Sequence, residues 1–173
     1  MSELDLRAFV RDVPDFPKPG ILFRDVTPLL ADPRAFHEAV QRLLAPFRER
    51  GVVKVMGIES RGFVFGPPLA LALGAGFVLV RKAGKLPWRT RRVTYELEYG
   101  TDTVEMHEDA LAPGERVLVV DDLIATGGTA AAAVRLARDA GAEVVGCAFL
   151  IELSALGGRD RLGVDDVHVL LRY

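Results

Sequence analysis

Apolar positions recur along this chain in two rhythms. Residues 33–50 carry Phe36, Val40, Leu43, Leu44 and Phe47 at helical spacing, and Gly51 closes the run. Short, mostly apolar runs at 52–58, 77–80, 117–120, 144–152 and 167–171 read as strands, 77–80 as a buried one and 117–120 as one buried on both faces. Between them, 64–73 and 129–139 have helical character. Pro67 and Pro68 are expected in the first turn of the former, and Gly141 closes the latter. Residues 93–98 and 103–106 alternate with a period of two around Gly100, which predicts a hairpin. The proline-rich stretch 13–20 resists regular structure, because proline fixes the backbone and removes donors. Strand and helix patterns that take turns predict an α/β fold, a mostly parallel central sheet flanked by helices. With no linker, repeat or low-complexity tract, residues 1–173 are expected to form a single domain.

Composition narrows the function classes. Half of the residues are hydrophobic and the formal net charge is −2, as in a soluble globular protein with no global signal for nucleic acid. No apolar run approaches the roughly 20 residues that span a bilayer, so no membrane partner is expected. The first residues lack the basic start and apolar core of a signal peptide, and a cytoplasmic location is the expectation. Cys147, the only cysteine, sits in an apolar run and reads as a small buried hydrophobe. His37, His107 and His168 show no spacing that suggests a shared metal. The chain has no asparagine, and Gln41 is its only glutamine; a thermophilic source or a GC-rich genome would each produce that bias.

Residues 117–129 (VLVVDDLIATGGT) carry the most chemistry. A buried strand ends in Asp121 and Asp122, and a turn of small residues, Ala125, Thr126, Gly127, Gly128 and Thr129, runs into an alanine-rich helix. Such a turn can aim backbone N–H groups and hydroxyls into one concavity, and the helix dipole adds positive potential, so it suits a phosphate. The paired carboxylates suit sugar hydroxyls, a hydrated Mg2+, or both. An ordinary crossover also has the order strand, turn, helix. Two acids, two threonines and two glycines so close together point instead to a pocket for a phosphorylated ribose. Residues 59–63 (ESRGF) follow the strand at 52–58, and Arg81, Lys82 and Lys85 follow the strand at 77–80. If these strands are parallel, all three ends meet on one edge of the sheet, where ligands of open α/β sheets bind.

The motif at 117–129 resembles the phosphoribosyl diphosphate (PRPP) motif of the type I phosphoribosyltransferases. Residues 16–25 (FPKPGILFRD), 59–67 (ESRGFVFGP), 81–87 (RKAGKLP) and 97–100 (LEYG) extend the resemblance over nearly the full length, toward the adenine-specific members. The resemblance implies an N-terminal arm and hood at 1–32 and a flexible catalytic loop, a mobile β-hairpin, at 81–111. It implies that Ala125 to Thr129 bind the 5-phosphate, and that Ser60, Arg61, Arg81, Lys82 and Lys85 bind the diphosphate. Leu22, Phe23, Arg24 and Leu123 would hold adenine, Glu98 would act on its N7, and Tyr99 would help close the site. Asp121 and Asp122 would serve catalysis by holding ribose hydroxyls or metal-bound waters, with Mg2+ carried mainly by PRPP and water. The implied reaction converts adenine and PRPP to AMP and diphosphate for purine salvage, in a homodimer. Trp88 departs from the resemblance, because many members have glycine after KLP. An enzyme for hypoxanthine, guanine or xanthine and a PRPP-sensing regulator are the rival readings. The chain has no basic recognition helix to suit the regulator.

Overall fold

The computed structural model describes residues 4–97 and 100–173, which form two compact units, Met1–Arg42 and Leu43–Tyr173. In the first unit Arg11–Pro14 (β1) pairs antiparallel with Leu22–Asp25 (β2). Val13 and Pro14, expected to lie outside regular structure, therefore belong to a ribbon; an edge strand has no need of the donor that Pro14 lacks. The Arg24 guanidinium bonds the Asp12 carboxylate across the ribbon, and Phe16 meets the Phe23 ring edge-on at 5.1 Å. Thr27–Ala31 (α1) and Pro33–Leu44 (α2) follow. Asp32 caps α2, its carboxylate accepting the N–H groups of Arg34 and Ala35. The helix ends at Leu44, short of the expected residue 50, and Ala45–Phe47 tightens into a 3-10 turn at Pro46.

The second unit is built on a seven-stranded sheet. Its strands are Lys54–Ile58 (β3), Gly76–Lys82 (β4), Thr90–Glu96 (β5), Thr101–His107 (β6), Arg116–Ile124 (β7), Glu143–Glu152 (β8) and Val167–Arg172 (β9), in the order β5-β6-β4-β3-β7-β8-β9. The strands from β4 to β9 in that order run parallel, and the hairpin β5–β6 adds an antiparallel edge. The parallel sheet and the hairpin expected from the apolar pattern are both present.

Gly62–Leu73 (α3) connects β3 to β4, and Gly128–Asp139 (α4) connects β7 to β8. Ala132, Ala133 and Leu136 of α4 join Met56, Ile58, Val78, Val117, Val119 and Phe149 in one buried cluster. Because side chains alternate across a strand, β3 shows the opposite face at Val55 and Gly57. There α3 approaches closely: a Cβ at Gly57 would lie 2.6 Å from the Phe77 ring, and one at Gly66 only 2.4 Å from it. Helix α3 begins at Gly62, so Pro67 and Pro68 fall in its second turn, not its first. Each removes one helical donor. Burial of Phe65, Leu69 and Ala70 offsets that loss. Cys147 is fully buried, and burial pushes its thiol up to about 12, which leaves it unreactive. No helix among the described residues is long and apolar enough to cross a membrane.

The Gly66–Phe77 contact sets a packing test. Gly66→Ala forces the ring aside and is expected to cost roughly 1–3 kcal/mol of stability, with partial recovery when combined with Phe77→Leu. Urea unfolding of both variants measures this; an unchanged midpoint for Gly66→Ala would contradict the packing described.

Candidate active site

Parallel pairing brings the three strand ends level. Ile58 stands opposite Val80 of β4, and Gly57 opposite Val120 of β7. Glu59, Arg81 and Asp121 therefore stand side by side near the carboxyl edge of the sheet, although β4 runs on to Lys82 and β7 continues past the expected end at residue 120 to Ile124, so that Asp121 and Asp122 lie within the strand. Crossovers from β3 and β7 depart from this point in opposite directions, the arrangement that opens a crevice in α/β sheets.

The turn from β7 into α4 forms a cavity of about 210 Å³ lined by Asp121, Leu123, Ala125, Thr126, Gly127 and Thr129, among others. The bond from the Ala131 N–H to the Gly127 carbonyl, at 2.8 Å, is the first of the helix. The N–H groups of Gly128, Thr129 and Ala130 consequently have no helical acceptor, and the positive end of the helix dipole sits with them. Gly127 holds φ at +82°, and a Cβ there would lie 2.3 Å from the Gly158 carbonyl oxygen. The turn is thus pressed against the loop Gly158–Arg161, so it is closely backed as well as polar.

The acid pair is asymmetric. Asp122 is almost fully buried and accepts a 2.5 Å hydrogen bond from Nε of Arg61, whose side chain is about half exposed. Asp121 accepts the Asp122 N–H at 2.8 Å, and its Oδ1 would lie 2.9 Å from a Cβ at Gly62. Burial and the charge of Asp122 raise the Asp121 carboxyl well above the usual carboxylate range. Among the described residues no cluster of three or more His, Cys, Asp or Glu could hold a metal. The two adjacent carboxylates nevertheless fit Mg2+, which takes one or two protein carboxylates and completes its shell with water and substrate oxygens.

The basic residues meet here too, each already engaged by an acid. Arg81 donates from Nε and Nη2 to the two oxygens of Glu59, both at 3.2 Å, and Lys85 Nζ reaches the same carboxylate at 2.5 Å. Lys82 adds its backbone N–H to Glu59 at 3.0 Å, while its ammonium bonds Asp102 and the Tyr95 hydroxyl. Burial raises the Glu59 pKa, but hydrogen bonds from Lys85, Arg81 and Lys82 outweigh it and hold the carboxyl at about 2. Ser60 is exposed beside this cluster.

Leu22, Phe23 and Arg24 lie on β2 in the Met1–Arg42 unit; Leu22 is about half exposed, and Phe23 is half-buried. Glu98 and Tyr99 lie outside the described residues. Glu105 of β6 is a fully buried acid. It takes Arg92 at 2.9 Å and the Gly84 N–H at 2.9 Å, and so anchors the segment after β4 to β6. Sequence reasoning gave no role to Glu59, Tyr95, Asp102 or Gly158. Glu59 stood within a noted motif, so its place at a strand end was a usable signal. Tyr95 and Asp102 sat in an alternating pattern that predicts only a hairpin, and nothing local to Gly158 points to a turn some thirty residues earlier.

The Glu59 cluster fixes a pH dependence. A carboxyl depressed from 4.5 to about 2 contributes stability that is fully present above pH 4.5 and is lost as pH falls toward 2. Unfolding free energies of wild type and Glu59→Gln should converge through that window; a constant difference would contradict the assignment.

The comparisons with known proteins agree with this geometry. The family profile described as phosphoribosyl transferase domain matches residues 30–169. An adenine phosphoribosyltransferase of Solibacter usitatus is 60% identical over 169 residues, covering 98% of each chain. The crystal structure of adenine phosphoribosyltransferase from Rhodothermus marinus superposes with a TM-score of 0.93 at 58% identity, covering 97% of this chain and 96% of that one. The Saccharomyces cerevisiae enzyme, solved with an imino-altritol bisphosphate and adenine, gives a TM-score of 0.90 at 44% identity, covering 95% and 96%. A strand-end site of this form, within a sequence matched almost end to end, makes the chain a member of the phosphoribosyl transferase family.

Proposed function

We propose that this protein transfers the 5-phosphoribosyl group from PRPP to N9 of adenine, giving AMP and diphosphate, as a purine salvage enzyme. The observation that carries the reading is the shared edge of β3, β4 and β7, where a phosphate-binding turn and an acid pair stand beside Arg61, Arg81, Lys82 and Lys85.

The division of labour follows from charge. The turn from Ala125 to Thr129 anchors the 5-phosphate through backbone donors and hydroxyls. Asp121 and Asp122, in the last half of β7, then take the ribose hydroxyls. Breaking the bond from C1 of the ribose to diphosphate leaves positive charge on the sugar and negative charge on the leaving group. The first is stabilised by the acid pair and the second by Ser60, Arg61, Arg81, Lys82 and Lys85. Bound Mg2+ would supply further neutralisation of the diphosphate, with Asp121 and Asp122 as the protein's contribution to its shell. Leu22, Phe23, Arg24 and Leu123 hold the purine, an apolar plate with a polar rim. Glu98 handles a proton at N7, and Tyr99 and the 81–111 segment exclude water.

The protein works in the cytoplasm as a homodimer. Leu79 and His107 line one cavity, Trp88 stands edge-on to His107 at 6.3 Å, and the exposed side chains of Trp88 and Leu79 support an interface.

A steady-state assay with PRPP, Mg2+ and each of adenine, hypoxanthine, guanine and xanthine tests the reaction. AMP formation from adenine alone is expected. Asp122→Ala should lose about 10²-fold or more of kcat/KM, and Glu98→Ala should lower kcat by a similar factor. Turnover only with a 6-oxopurine would overturn the adenine pocket. PRPP binding without turnover of any base would favour a sensor.

A further inference from the structure

Asp102 has no part in the reaction as described, yet its carboxylate is bonded to the ammonium of Lys82. The pair is partly enclosed, with side-chain exposures of 38% for Lys82 and 30% for Asp102. Two neighbours hold it in place. Tyr95 accepts from Lys82 Nζ at 3.1 Å and lies 3.3 Å from Asp102 Oδ2, while the Thr103 N–H donates to Asp102 Oδ1 at 2.8 Å. The Tyr95 hydroxyl also shares a 2.9 Å hydrogen bond with Oγ1 of Thr129. Lys82 is therefore two hydrogen bonds from the phosphate-binding turn, and the Tyr95 ring fixes that spacing. The cross-strand pairing sets the geometry: Tyr95 stands opposite Asp102 on the hairpin, and Lys82 opposite Val104.

We propose that Asp102 is an internal competitor for Lys82, a carboxylate that occupies the cation in the free enzyme and must yield it when diphosphate binds. The inference rests on the reading of Lys82 as a diphosphate ligand. Two anions cannot both hold one ammonium at full strength, so each bond diphosphate makes to Lys82 is offset by the loss of one to Asp102. The device weakens the hold on diphosphate and speeds its departure after transfer. Asp102 is a positioning residue: it acts through Lys82 and never touches the reacting carbon. Removing the carboxylate should tighten a ligand, a gain that general damage to the fold does not produce.

The test is titration calorimetry of inorganic diphosphate with Mg2+, run beside AMP as a ligand that fills the turn without needing Lys82. Asp102→Asn is expected to lower the diphosphate Kd about 5–10-fold and to change the AMP Kd by less than about twofold, on the scale of one charge-assisted hydrogen bond. In a Lys82→Gln background the same substitution should have no effect on diphosphate. An unchanged or weaker diphosphate Kd in Asp102→Asn would overturn the proposal, as would the same tightening with Lys82 absent. Asp102→Ala carries the same expectation should the asparagine variant fail to fold. Diphosphate tightening without AMP formation by wild type would leave this competition standing and overturn the proposed reaction instead.

Discussion

Everything at this site depends on the parallel pairing of β3 with its two neighbours. That register sets Ile58 against Val80 and Gly57 against Val120, so Glu59, Arg81 and Asp121 come to stand side by side. A slip of one residue would turn each side chain to the other face, and the two-sided core forbids it. On one face Met56 and Ile58 are sealed by the alanines of α4; on the other, Gly57 admits the Phe77 ring. The hydrophobic core thereby aligns the charged groups that no hydrophobic force would gather.

Gathering them has an electrostatic cost, and the structure answers it by pairing. Arg61 is matched to Asp122, Arg81 and Lys85 to Glu59, and Lys82 to Asp102. A site rich in like charge would otherwise repel itself in the absence of ligand. The acids keep the cations ordered, and a ligand with several anionic oxygens can replace these single carboxylates. Asp121 differs: burial and the charge of Asp122 raise its carboxyl above the usual carboxylate range.

The layout of the fold was legible because it rests on periodicity. The apolar runs at 77–80 and 117–120 marked strands, although Leu79 in the first is exposed where a buried strand was expected, and Gly100 between alternating segments marked the hairpin. Boundaries were less legible: Pro67 and Pro68 pointed to a helix starting later than Gly62, because local propensity carries no knowledge of the burial that overrides it. The small-residue turn from Ala125 to Thr129, proposed to hold the phosphate, could be singled out since all its residues are contiguous. The pairing of its neighbours could not, because Glu59 with Lys85, or Tyr95 with Thr129, are meetings of distant segments that only tertiary structure creates. Nor does an alternating strand pattern show that Glu105 is an acid buried in the core.

The central claim is that the turn after β7 is where the phosphate of the nucleotide lands. A crystal structure of the protein with AMP tests it most directly. The account predicts the 5-phosphate within hydrogen-bond distance of the backbone N–H groups from Thr126 to Thr129, with Asp121 and Asp122 facing the ribose. A phosphate seated instead on Arg81 and Lys85, with the turn empty, would contradict it.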